Sequence, residues 1–132
     1  MKASDLRIGN LVQSYADIIT VEYVDKLLLK GFFHRDIIYN TSIQIKHCKP
    51  IPLTEEWLVK LGFTRHHADY SNNVIYIKNV PDNTEFEWGV YPNELGSGIQ
   101  IQNRKLLKYV HQLQNLYHAL TGEELTIKDE VY

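Results

Sequence analysis

Ile18-Ile19-Thr20-Val21-Glu22-Tyr23-Val24-Asp25-Lys26-Leu27-Leu28-Leu29-Lys30-Gly31-Phe32-Phe33 is the stretch whose reading decides the fold class. Six of its first seven residues are β-branched or aromatic, the composition of a strand. Asp25-Lys26 then offers a polar break, and Leu27 to Phe33 returns as a second apolar run, so the chain is expected to turn there. Toward the N-terminus, Leu6-Arg7-Ile8-Gly9-Asn10-Leu11-Val12 alternates apolar with other residues, and its Gly-Asn pair suits a bulge or tight bend. Toward the C-terminus, Ile37-Ile38-Tyr39 and Ile43-Gln44-Ile45 read as two further strands separated by the turn formers Asn40-Thr41-Ser42. Four or five short strands with close turns predict either a small curled antiparallel sheet or an SH3-like barrel. Periodicity leaves both open.

Lys49-Pro50-Ile51-Pro52-Leu53-Thr54 ends this pattern, because two prolines fix an extended connection. Thr54 is a good N-cap, Glu55 and Glu56 put negative charge in a first helical turn, and Gly62 is a natural stop. A short central helix of about two turns is predicted. A second β-hairpin region follows: Val74-Ile75-Tyr76-Ile77-Lys78 and Thr84 to Tyr91 flank a turn at Asn79 to Asn83, with Ile99 and Ile101 in one more short strand. From Asn103 to Leu120, the residues Leu106, Val110, Leu113, Tyr117 and Leu120 recur at spacings of four and three, joined by Leu116. This predicts a long C-terminal amphipathic helix closed by Gly122. The expectation is one α+β domain over residues 1–132, with a β-rich subregion at 1–49 and the helix, hairpin and C-terminal helix at 50–132.

The chain has 132 residues, enough for one domain with its own core. Fourteen Lys and Arg face sixteen Asp and Glu, a formal net charge of -2. That balance weighs against a protein whose main affinity is for nucleic-acid phosphates, although a local basic stripe is compatible with it. The single cysteine, Cys48, excludes an internal disulfide and a four-cysteine zinc site. No apolar run is long enough to span a bilayer and no targeting signal is visible, so the cytoplasm is the expected location. Nine Tyr suit half-buried strands, interfaces or ligand pockets.

No motif in the chain names a chemistry. His66 and His67 with Asp69, and His34 or His47 as a distant third ligand, form the nearest approach to a metal set, yet adjacent strand residues point to opposite faces. The spacing resembles no known metal motif and favours solvated turn residues, and no metal or cofactor is expected. His47-Cys48 lacks the flanking signature of a nucleophile pair, and a small buried thiol accounts for it. Gly96-Ser97-Gly98 lacks the Lys and spacing of a phosphate loop. Glu85 and Glu87 share one strand face, where exposed carboxylates are common; acid–base work would need a cleft that splits their pKa values. On the predicted last helix, His111, Gln112, Gln114, Asn115 and His118 form a largely neutral polar stripe. It is either a solvated face or a contact surface that costs little to desolvate.

The runs Leu6 to Val12, Pro50 to Leu58 with Leu61-Gly62-Phe63, and Tyr109 to Tyr117 continuing to Leu125 resemble an uncharacterised family of small proteins from phages, prophages and mobile elements of Bacteroidetes-type bacteria. The resemblance covers both ends and the centre of the chain. It implies a phage-type protein without an assigned catalytic residue. The leading expectation is a non-catalytic binding protein, acting through protein–protein contact with an unknown partner or through self-association as an oligomer, with His111, Gln114, Asn115 and His118 as binding residues. Capture of a small anionic nucleotide signal is the alternative, with Arg35, Arg65, Arg104 and Lys105 as phosphate contacts. A nucleic-acid-binding module and a metal-dependent hydrolase are the remaining readings.

Overall fold

The structure, a computed structural model, describes residues 1–15, 17–35, 37–67, 74–80, 83–92, 99–101 and 106–127; for 38–41, 67, 74, 79–80, 83–92 and 99–101 the description is of the backbone. It is an α+β chain whose backbone gathers into two compact units. The first is built from Met1–Ile51 and Tyr109–Glu124, and the second from Pro52–Lys108 with the segment from Leu125. The last helix therefore belongs with the N-terminal strands.

In the first unit, β1 (Leu11–Ser14), β2 (Asp17–Val24), β3 (Leu28–Phe33) and β4 (Ile38–Gln44) form an antiparallel meander in the order β1-β2-β3-β4. Register is carried by Val12↔Ile19, Val21↔Gly31 and Leu29↔Ile43. Val12, Ile19, Val21 and Leu29 are fully buried and pack with Leu6, Ile45 and Cys48 into one cluster. Ile19 and Val21 follow the two-residue alternation of a half-buried strand until the register slips between Val21 and Tyr23. Gly31 lies beside that slip. A Cβ there would strike the Thr20 carbonyl oxygen and come within 2.7 Å of Ile19 Cγ2, so β2 and β3 meet more closely than any side chain allows. After β4 a 3-10 turn spans Ile45–His47. Lys49 then returns to β1, its N–H donating to the Gln13 carbonyl at 2.7 Å and its carbonyl accepting from the Gln13 N–H at 2.9 Å.

Two expectations for this unit are corrected. Ile37-Ile38-Tyr39 and Ile43-Gln44-Ile45 are not two strands with a turn at Asn40-Thr41-Ser42. The backbone from Ile38 to Gln44 is one strand, because Thr41 and Ser42 pair with Gly31 and Lys30 and cross-strand bonding overrides their turn preference. Leu6 to Asn10 is not strand either. The Asn10 N–H bonds the Arg7 carbonyl at 3.0 Å and Gly9 takes φ +96°, making the bend that the Gly-Asn pair suggested.

The second unit opens with α1 (Glu55–Lys60), capped as predicted: Thr54 Oγ1 accepts the Trp57 N–H at 3.3 Å. Leu58, Leu61 and Phe63 are buried, and Gly62 turns the chain at φ +93°. β5 (Thr64–His67), β6 (Val74–Val80), β7 (Asn83–Pro92), β8 (Ile99–Ile101) and β9 (Leu106–Leu107) form a second antiparallel meander in sequence order. The β6–β7 hairpin falls where the turn composition placed it, with Val80 paired to Asn83.

The long C-terminal helix is corrected. Helix α2 runs only over Val110–Thr121, twelve residues, and Leu106–Leu107 forms β9, paired to Ile99 and Gln100 of β8. The apolar period continued across this boundary because Leu106 and Val110 are four apart in either structure, while the backbone bonds of Leu106–Leu107 are spent on a sheet. Tyr109 is the N-cap, with Gln112 Oε1 accepting its N–H at 3.2 Å, and Gly122 ends the helix in the left-handed conformation expected of it. Val110, Leu113 and Tyr117 are buried, but Leu120 is exposed, so the apolar stripe stops one turn before the helix does. No helix among the described residues is long and apolar enough to cross a membrane.

Candidate functional site

Of the polar stripe of α2, His111 and Gln114 are buried, Asn115 and His118 half-buried, and Gln112 exposed. Gln114, fully buried, accepts the Leu11 N–H on Oε1 at 2.8 Å and donates from Nε2 to the Gly9 carbonyl at 3.1 Å. Its amide thus supplies the donor–acceptor pair that a neighbouring strand would offer to the start of β1. Asn115, one residue on, accepts from Asn10 Nδ2 at 2.7 Å and Arg7 Nε at 3.2 Å, and donates to the Asp5 carbonyl at 3.3 Å. Arg7 then reaches Glu124 with both guanidinium nitrogens, at 2.7 and 2.9 Å, the two-pronged geometry that makes Arg–carboxylate pairs specific. Gly9 completes the arrangement: a Cβ there would lie 2.8 Å from Glu124 Cδ.

These residues form a clasp that holds the bent segment Leu6 to Asn10 against α2 and Glu124, two residues beyond its cap. The expectation of a solvated or partner-facing stripe is revised for Gln114 and Asn115, whose amides are committed within the chain. Arg7, Asn10 and Glu124 were not singled out from the sequence. Arg7 and Asn10 sat inside a run that alternation assigned to a strand, and nothing local marks Glu124 as their partner more than a hundred residues away.

The histidines scatter. His111, in the first turn of α2, is buried with Nδ1 lacking a hydrogen-bond partner among the described residues, and its ring lies parallel to that of Tyr109 with centroids 5.8 Å apart. Burial holds its pKa below the ordinary histidine value; Asp5 acts in the opposite sense, and the terminal amine adds to the lowering. His118 is half-buried in the last turn, where its carbonyl accepts the Gly122 N–H. His34 pairs with Thr20 Oγ1 through Nε2 at 2.6 Å, and His47 is exposed with its carbonyl bonded by Ser14 Oγ at 3.2 Å. His66 is exposed on β5, His67 occupies the next backbone position, and Asp69 lies outside the described residues. Among the described residues no three His, Cys, Asp or Glu gather as a metal-binding group.

Cys48 is buried, its Sγ 3.7 Å from the Gln44 carbonyl, and burial pushes the thiol up to about 11, so it stays protonated at neutral pH. Glu85 and Glu87 lie on β7, described in backbone only, and Gly96, Ser97, Gly98, Arg104 and Lys105 lie outside the described residues. Arg65 is exposed on β5 in the second unit, and Arg35 is exposed in the first.

Arg35 belongs to a different feature. Its N–H donates to Asp17 Oδ1 at 2.7 Å, which ties the β3–β4 connection to the base of the β1–β2 turn. Asp17 is buried, and its Oδ2 has no partner among the described residues. The two turns at this end of the sheet display Tyr15, 83% exposed, and Ile37, 55% exposed, each at φ +53°. A left-handed conformation is uncommon for any residue with a Cβ and an outlier for a β-branched one. Composition could not reveal this pair, because neither residue marks a left-handed turn in sequence. Compared with known proteins, the chain matches no protein-family model, no curated protein and no solved structure.

Proposed function

We propose that this is a non-catalytic binding protein of phage or mobile-element type, cytoplasmic, acting through protein–protein contact or self-association. Its first unit is, on this reading, an SH3-like barrel. The return of Lys49 to Gln13 supports that assignment, since it joins the chain beyond β4 back to β1 after a four-stranded meander and a 3-10 turn. The observation that carries the functional reading is the exposed display of Tyr15 and Ile37 on adjoining turns. Large apolar side chains held out to water at left-handed φ are unfavourable for the isolated fold, and such positions concentrate at recognition sites. The amide stripe of α2, by contrast, serves the clasp.

The test places a photo-crosslinking residue at position 15, with position 56, exposed on α1, as the control. Irradiation at a series of protein concentrations and in host lysate is expected to give a position-15 adduct, either with a second copy or with a single dominant partner. Monomeric behaviour in light scattering together with equal, diffuse labelling from both positions rejects the reading.

A further inference from the structure

His111 is a titratable group that the proposed binding surface does not use, and its seat is built in a way that protonation cannot tolerate. The ring is buried in the first turn of α2, and among the described residues Nδ1 meets no donor or acceptor. One face is stacked on Tyr109. The amide groups at the start of a helix point their partial positive charge toward such a position, which disfavours a cation there. Asn115, four residues on and on the same helical face, bonds the Asp5 carbonyl, so the 3-10 turn Ala3–Asp5 runs along this face of α2. Among the described residues, the charged groups that reach the ring are Asp5, which favours the imidazolium, and the terminal amine, which opposes it. One carboxylate against burial, a helix start and an amine leaves the neutral ring preferred.

We infer that His111 is an acid-operated latch: protonation drives the ring from its seat and releases the first turn of α2 from the 3-10 turn Ala3–Asp5, while the Arg7–Glu124 pair keeps the rest of the helix docked. The linkage has a definite sign. The closed state favours the uncharged ring, so its stabilisation is complete above the open-state pKa near 6.5 and is lost as pH falls below it. If the closed form takes up no proton, the open fraction rises about tenfold between pH 7.5 and pH 5.5, since an open imidazole of pKa about 6.5 is then ten parts protonated to one neutral.

Hydrogen exchange, corrected for the intrinsic pH dependence of amide exchange, tests this on the whole chain. Protection of the amides of residues 3–6 and 112–114 is expected to fall by up to about tenfold from pH 7.5 to pH 5.5. In His111→Phe, which keeps a flat ring and cannot titrate, that fall is expected to vanish. Equal protection at both pH values in the parent, or an equal fall in a folded His111→Phe, overturns the latch. Should the variant not fold, the assigned ring resonances of His111 in the parent decide: a midpoint below 6.5 that coincides with the opening supports it, and a midpoint at or above 6.5 overturns it.

Discussion

Replacing Gln114 asks whether one side chain fastens α2 to the N-terminal segment. The side chain is fully buried and makes two hydrogen bonds to backbone, 2.8 Å from the Leu11 N–H and 3.1 Å to the Gly9 carbonyl. Gln114→Met preserves length and approximate volume, so cavity formation is minor and the loss is that of the bonds. Each backbone group left buried and unpaired costs about 1–3 kcal/mol, and two of them put the expected destabilisation at about 3 kcal/mol. For a chain of this size that corresponds to a fall of roughly 10 °C in Tm. Gln114→Glu gives the sharper result. It retains an acceptor for Leu11, but at neutral pH it sets a carboxylate oxygen against the Gly9 carbonyl. The buried carboxyl is therefore raised above its ordinary value of about 4.3 and donates to Gly9 only when protonated. Its stability relative to the parent is then best below about pH 4 and declines as pH rises through the raised folded-state pKa. Urea denaturation of parent and both variants at pH 4, 5.5 and 7 measures this. A Gln114→Met variant within 0.5 kcal/mol of the parent, or a Gln114→Glu variant whose deficit does not change with pH, would refute the clasp.

Arg7→Lys keeps the charge but loses the two-pronged contact with Glu124 and the bond to Asn115, and should cost about 1 kcal/mol, read by urea denaturation, with a Glu124→Gln background removing most of the difference. Gly31→Ala should cost about 3 kcal/mol or prevent folding, because its Cβ meets the Thr20 carbonyl and Ile19; Gly122→Ala, whose Cβ meets nothing within 4 Å, should cost only about 1 kcal/mol from its φ of +75°. Cys48 should react with a disulfide reagent at pH 8 about a hundredfold more slowly in the folded chain than in urea, from thiolate population alone. Its contribution to stability, complete below the ordinary thiol value of 9.0, should be lost as pH rises from there toward about 11, which thermal melts at pH 8.5 and 10.5 would register.

Two segments far apart in the sequence have a concrete structural task. Leu6 to Val12 and Tyr109 to Leu125 contain Arg7, Gly9, Asn10, Gln114, Asn115 and Glu124, the members of the clasp. The amides of Gln114 and Asn115 drew notice for polarity on a helix face, and they are matched to backbone and side chains of the first eleven residues. Arg35 drew notice as a cation. Its backbone N–H, which no residue type advertises, joins the two turns.

Local order was legible wherever a residue's own chemistry sets the backbone. Thr54 caps α1, Gly122 closes α2, and the β-branched run from Ile18 to Val24 is a strand, since capping, left-handed φ and β-branching act within a few residues. Ile38 to Gln44 and Leu106–Leu107 were decided instead by partners. Turn-forming Thr41 and Ser42 become strand once Gly31 and Lys30 bond them, and a helical period at Leu106 yields to pairing with β8. The clasp, the return of Lys49 to Gln13 and the orphaned Asp17 oxygen likewise exist only after distant segments meet. Periodicity reports which side of an element is apolar, whereas hydrogen-bond partners are chosen by the segment that arrives opposite, and that choice belongs to the tertiary structure.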